Sequence, residues 1–143
     1  MPVDNKIKIA IVDNHDLFRK GMISLLQIFH LDVHWEYENG HDFISNIDKN
    51  HLPNFVLIDL KTLEMDNYET TVWLRKNYPS VNALILCMDI NEFEIKRIIE
   101  NGAKGYIFKD AEPAEIKSAI MSVIENGHYY PGKQSSFVYK TSR

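Results

Sequence analysis

Four short apolar runs in this chain each end at a residue able to do chemistry. Ile7 to Val12 leads into Asp13 and Asn14, and Phe55 to Ile58 into Asp59; Ala83 to Cys87 ends in the thiol itself, and Tyr106 to Phe108 leads into Lys109. Two carboxylates, an amide, a thiol and an ammonium would converge if the runs lay side by side and parallel. That set suits phosphoryl transfer to a carboxylate. Magnesium takes oxygen ligands, usually one or two carboxylates plus phosphate and water. Asp13 and Asp59 can supply the carboxylates, and the Asn14 side-chain oxygen can add a neutral ligand. Asp59 is then placed as a nucleophile of the aspartyl-phosphate kind. Magnesium and Lys109 would neutralise charge on the phosphoryl oxygens. Cys87 could report the phosphate to the loop that follows it.

The runs that carry these residues read as strands buried on both faces. Val33 to Glu38 is a fifth strand candidate, with Val33, Trp35 and Tyr37 alternating against charged neighbours as on a half-exposed edge. Between the runs the apolar period becomes helical. Leu17, Phe18, Met22, Leu25, Leu26 and Phe29 form one stripe; Ile95, Ile98 and Ile99 a second; Ile116, Ala119, Ile120, Val123 and Ile124 a third. Two further helices are expected at His41 to Asp48 and at Asn67 to Tyr78, before Pro79. Gly102 and Gly127 fit C-terminal caps, and Pro113 a first helical turn. Strict β-α alternation with right-handed crossovers predicts an α/β, doubly wound (βα)5 fold of the flavodoxin-like kind. Its five-stranded parallel sheet would have strand order 2-1-3-4-5. In such sheets the site lies at the carboxyl ends of the strands. Residues 1–130 read as the domain, and 131–143, with Pro131, Gly132, Ser135 and Ser136, as a linker or tail.

The 143 residues fit one domain, and 45% apolar with 25% charged residues is ordinary globular composition. A net charge of -4 argues against unaided nucleic-acid binding. The single cysteine excludes an internal disulfide and a thiolate-rich zinc site, which suits a reducing cytosol. Met1 to Lys8 is too polar for a secretory signal, and no apolar run nears the ~20 residues of a membrane helix. A cytoplasmic protein is expected.

The ordered motifs resemble the receiver domain of two-component response regulators. Ile9-Ala-Ile-Val-Asp-Asn-His15 is similar to that family's acidic opening, and Phe55-Val-Leu-Ile-Asp59-Leu to its phosphorylation strand. Met65-Asp-Asn-Tyr-Glu69 resembles the stretch after it, and Asn101-Gly-Ala-Lys-Gly-Tyr-Ile-Phe-Lys-Asp110 the strand-five signature. The resemblance covers Ile7 to about Pro131. It implies Asp59 as phospho-acceptor and Mg2+ held by Asp13, Asn14, Asp59 and the backbone carbonyl of Lys61. It further implies Lys109 as the phosphate-stabilising group, with Cys87 and Tyr106 as the switch pair. Leu17-Phe-Arg-Lys-Gly21 and Glu125-Asn-Gly-His-Tyr-Tyr130 are similar to the NarL/LuxR type. That type implies a sensor histidine kinase as phosphodonor and control of transcription. DNA would be bound only through a C-terminal helix-turn-helix domain, which is absent from this chain. Output would pass through helix four, strand five and helix five, with Tyr106 part of that surface. The face including Ile95 to Ile99 and Ile116 to Ile124 could pair two copies as a homodimer.

Several positions depart from the family pattern. Asn14 stands where a second acid is usual, and Cys87 where Thr or Ser is usual, the thiol being the poorer donor. Thr62-Leu63 replaces Met-Pro, and Asn67 replaces a turn Gly whose left-handed conformation Asn tolerates. A phosphorylation-independent interaction module therefore stands as the alternative function. A flavin or nucleotide binder is a third, opposed by the acidic Asp13-Asn-His-Asp16 where a phosphate loop would need Gly, Ser or Thr. Blander readings also exist. Asp13 or Asn14 could cap the helix near Asp16, Asp59 could end a strand, Lys109 could be a solvated lysine, and Cys87 a packing residue. His30 and His34 flank a helix-to-strand passage and would share no helical face, while His15 reads as a loop residue near the site. Tyr129, Tyr130, Phe137 and Tyr139 read either as a partner-docking patch or, more commonly for such residues, as a tail packing on its own domain.

Overall fold

The computed structural model describes residues 7–61 and 68–131. Thr62, Leu63, Asn67, Phe137 and Tyr139, and all of the tail but Pro131, lie outside them. The elements alternate as β1 (Lys8–Val12), α1 (Asp16–Ile28), β2 (Asp32–Tyr37), α2 (Gly40–Asn46) and β3 (Phe55–Asp59). Then follow α3 (Glu69–Asn77), β4 (Asn82–Cys87), α4 (Glu92–Glu100), β5 (Gly105–Phe108) and α5 (Pro113–Asn126). The strands form one sheet in the order β2-β1-β3-β4-β5, all neighbours parallel. This is the doubly wound fold that the alternation predicts.

The near-continuous apolar runs are explained by two cores. Ala10, Val12, Val56, Ile58 and Ile85 face one way, toward Phe43 of α2, Leu74 of α3 and Ile95 of α4. Ile9, Ile11, Leu57 and Leu84 face the other, toward Leu26 of α1 and Ile120 of α5. Every residue of β3 is buried, whereas β2 at the edge alternates exposed and half-buried positions. Caps set the helix ends. Asn91 and Glu94 form a reciprocal capping box at α4. Pro113 opens α5, and Gly127, at φ 88°, closes it.

Two helical assignments need correction. Leu17 is 81% exposed and lies off the buried stripe of α1. At 3.6 residues per turn it sits roughly 180° around the helix from Leu26, while Arg19 falls on the buried face. Arg19 is accordingly 7% exposed. Ile124, expected in the α5 stripe, lies on its flank and is 46% exposed. At the entry to α3 the described residue Tyr68 is left-handed, at φ 68°. A side chain with Cβ strains there by about 1–3 kcal/mol. The Tyr68 ring is buried, and the Arg97 guanidinium lies 4.3 Å over its centroid, which offsets the strain.

Candidate functional site

β1 and β3 pair in register from Ile9 with Phe55 to Val12 with Ile58, and one further step sets Asp13 beside Asp59. Asp13 leaves the sheet still tied to it, its N–H donating to the Tyr37 carbonyl at 3.0 Å. Its Oδ1 accepts the His15 N–H at 2.8 Å. The N-cap of α1 is His15, so Asp13 shapes the loop before the helix and does not cap it. Lys109 follows β5, its N–H donating to the Cys87 carbonyl at 2.7 Å. From there its ammonium reaches both carboxylates, 3.1 Å from Asp13 Oδ2 and 3.0 Å from Asp59 Oδ1. Asp13 is fully buried and Asp59 is 4% exposed. The ends of three strands thus meet at one cationic group.

A cleft of about 780 Å³ opens over this cluster. Asn14, Asp59, Lys61, Cys87 and Lys109 line it, and its rim adds Asp89, Glu94 and Asp110. Acid predominates, so a phosphoryl group would be repelled unless a cation joined it. Asp13 Oδ2 is buried and, although Lys109 Nζ stands at ion-pair distance, receives no well-directed hydrogen bond. An under-satisfied buried carboxylate oxygen beside a second carboxylate fits a hard divalent cation. The chain's own donors therefore match Mg2+.

Cys87 is 2% exposed, and its thiol points at the Ile107 carbonyl, a long 3.7 Å contact. Burial, with Glu94 and Asp59 nearby, pushes this thiol up to about 12, so it stays protonated and unreactive at neutral pH. Tyr106 does not line the cleft and does not contribute to the surface as expected. It is fully buried, packing edge-on against Phe108 at 5.8 Å and against Tyr130 at 6.2 Å. β5 pairs with β4 on one side and meets the Tyr129 segment on the other, which turns this ring into the core. Burial also pushes the Tyr106 hydroxyl up.

The sequence reading missed two side chains at this site. Phe18 lies 4.4 Å beneath the Lys109 ammonium, a cation–π contact. Arg19 donates to the Asp13 carbonyl at 2.6 Å, to Asp16 Oδ1 at 2.7 Å and to Glu36 Oε1 at 2.9 Å. The Glu36 bond is the main reason that its guanidinium is held even more firmly charged than usual. One signal was available: Arg19, Met22 and Leu26 share a helical face, so an arginine begins an apolar stripe.

A parallel sheet in this order, with two carboxylates and a lysine at its carboxyl edge, defines a flavodoxin-like α/β domain with its site at the strand ends. The chain belongs to the response regulator receiver domain family, whose profile matches residues 9–121. Among curated relatives, the transcriptional regulatory protein LnrK of Bacillus subtilis is 34% identical over 126 residues, 87% of this chain and 57% of its own length. The response regulator protein VraR of Staphylococcus saprophyticus is 32% identical over 121 residues, 84% of this chain and 57% of its own. The transcriptional regulatory protein DegU of Brevibacillus brevis is 28% identical over 98% of this chain and 59% of its own length. The chain thus spans less than two thirds of each. Among solved structures, the receiver domain of NarL from Mycobacterium tuberculosis superposes with a TM-score of 0.77 at 24% identity, covering 86% of this chain and 99% of that one. The receiver domain that the ordered motifs implied is thus the family to which the chain belongs.

Proposed function

We propose that Asp59 accepts a phosphoryl group and that Asp13, Asn14, Asp59 and the Lys61 carbonyl hold the Mg2+ that permits it. The observation that carries this reading is the Lys109 ammonium lying about 3 Å from both Asp13 and Asp59 across three strand ends. An Asp59 carboxylate oxygen forms the new bond to phosphorus, and the donor's phosphoryl bond breaks, its electron pair leaving with the donor group. Lys109 moves its charge from Asp59, which loses charge, to the phosphoryl oxygens, which carry it. Asp13 stays anchored by the His15 N–H. The Mg2+ supplies charge neutralisation on the transferring oxygens. A sensor histidine kinase or a small acyl phosphate is the donor, and slow self-hydrolysis returns the site to rest. Output then controls transcription through a helix-turn-helix domain beyond the receiver, in the cytoplasm, in keeping with relatives named transcriptional regulators. Residues 131–143 would serve as a linker or a C-terminal tail. Self-association through α4 and α5 would use Phe93, Met121 and Ile124, since Ile95, Ile98, Ile116 and Ile120 are buried in the chain's own cores. Among the described residues, no helix is long and apolar enough to cross a membrane.

Intact-mass spectrometry after incubation with Mg2+ and acetyl phosphate tests the site. A phosphoryl-sized mass gain absent from Asp59→Asn is expected. A wild-type chain that folds but gains nothing would overturn it. One observation favours the phosphorylation-independent alternative: the Cys87 thiol is buried and already spent on the Ile107 carbonyl. In that reading the Cys87→Thr, Asn14→Asp double variant gains phosphate where the wild type does not.

A further inference from the structure

Among the described residues, three buried charged side chains stand at the carboxyl edge: Asp13, Asp59 and Arg19. The first two form the site. Arg19 touches neither the cleft nor a carboxylate that would hold metal. Its buried end donates to the backbone carbonyl of Asp13, at 2.6 Å. Its Nη2 and Nε reach Asp16 and Glu36, whose side chains are 72% and 43% exposed. Those solvent-facing pairs contribute little energy. They do something else: two carboxylates flank one guanidinium, so a strong donor stands behind Asp13 without adding net positive charge to a cation site.

Asp13 is consequently fixed at three points. Its N–H is held by Tyr37, its Oδ1 by His15 and its carbonyl by Arg19. Only Oδ2 is left toward Lys109 and the cleft. The carbonyl bond also sets the plane of the Asp13–Asn14 peptide, from which Asn14 departs into the cleft wall. We infer that Arg19 is a positioning residue for the cation site, holding the Asp13–Asn14 peptide from behind so that both side chains present their oxygens to Mg2+. This rests on the proposed metal site. Outer partners that orient ligands in this way typically change metal affinity 10- to 100-fold when removed.

The competing explanation is a staple between α1 and the edge strand β2, and Glu36 separates the two. Glu36→Gln weakens the tie to β2 and leaves the bond to the Asp13 carbonyl. Arg19→Met keeps the aliphatic stem and removes both. Mg2+ would be titrated calorimetrically into the 143-residue chain, with thermal melts and the amide nitrogen resonance of Asn14 measured alongside. The Asn14 resonance reports the hydrogen bond on the carbonyl that precedes it. Arg19→Met should weaken Mg2+ binding at least about tenfold and shift the Asn14 resonance in metal-free protein. Glu36→Gln should lower the melting temperature while changing Mg2+ affinity less than about twofold. If Arg19→Met does not fold, Arg19→Gln, whose amide is too short to reach the carbonyl, takes its place with the same expectation. Unchanged Mg2+ affinity in the Arg19 variants, or an equal loss in Glu36→Gln, would reduce Arg19 to a staple. A wild-type chain that binds no Mg2+ overturns the site reading itself, a different result from unchanged variants of a chain that binds.

Discussion

Replacing Lys109 with Met would test the charge arrangement directly. Methionine keeps an unbranched stem of similar length and removes the ammonium from its place 3.1 Å from Asp13 and 3.0 Å from Asp59. Both carboxylates are nearly inaccessible, and the Lys109 side chain is only 12% exposed, so water cannot replace the lost partner cheaply. Removing one member of a buried ion pair costs about 3 kcal/mol or more, because the remaining charge stays buried. For a domain of this size that is a fall in melting temperature of roughly 10 °C. Mg2+ should reverse part of the loss. In the wild type a cation must share the two carboxylates with the ammonium; in Lys109→Met it meets them alone. At about 100 times its dissociation constant a ligand that binds only the folded state adds about 2.7 kcal/mol. Thermal melts of both proteins with and without Mg2+, in urea to keep unfolding reversible, provide the assay. The variant should gain more from Mg2+ than the wild type, and it should not take up phosphate. A variant as stable as the wild type without Mg2+, or one that gains no more from it, would refute the electrostatic reasoning.

Two other perturbations have clear expected outcomes. A Cβ on Gly105 would lie 1.9 Å from the Tyr129 carbonyl oxygen, a backbone atom, so Gly105→Ala should cost about 2 kcal/mol or more. Gly127→Ala, at φ 88° with open space around it, should cost only about 1 kcal/mol; urea midpoints would show the order. Alkaline pH should destabilise the fold through Cys87. Its thiol pKa rises from 9.0 to about 12 on burial, so between those values the unfolded chain releases a proton that the native chain keeps. Stability therefore falls as pH rises through this window. Cys87→Val should fall less steeply between pH 9.0 and about 12, and equal slopes would show that Cys87 is not the cause.

The strand-end residues were legible because a parallel strand buried on both faces is a continuous apolar run, and the residue that ends the run is visible as a break. Asp13, Asp59 and Lys109 were found in this way, and the observed register puts the first two side by side. Helix faces are harder to read. A stripe is a statement about angle, and an apolar residue one or two positions off still looks like a member, as Leu17 did. The edge strand was recognisable in Val33, Trp35 and Tyr37, although its bounds moved by one residue to Asp32–Tyr37.

Tyr106 and Arg19 show where sequence pattern loses its grip. Both are polar-tipped side chains whose burial depends on what approaches from elsewhere in the chain. Tyr106 is covered by the residues after α5: Tyr129 accepts its N–H at 3.3 Å, and the Tyr130 ring packs on it. The apolar pattern of β5 does not announce that contact. Gly105 does so indirectly, because only a residue without Cβ admits the Tyr129 carbonyl. Arg19 is covered through Glu36 of β2, which lies 17 residues further along the chain. In both cases the buried polar group marks a tie between a strand end and a distant segment. Such ties hold the chemistry-bearing loops in place, and sequence periodicity records only the apolar part of that support.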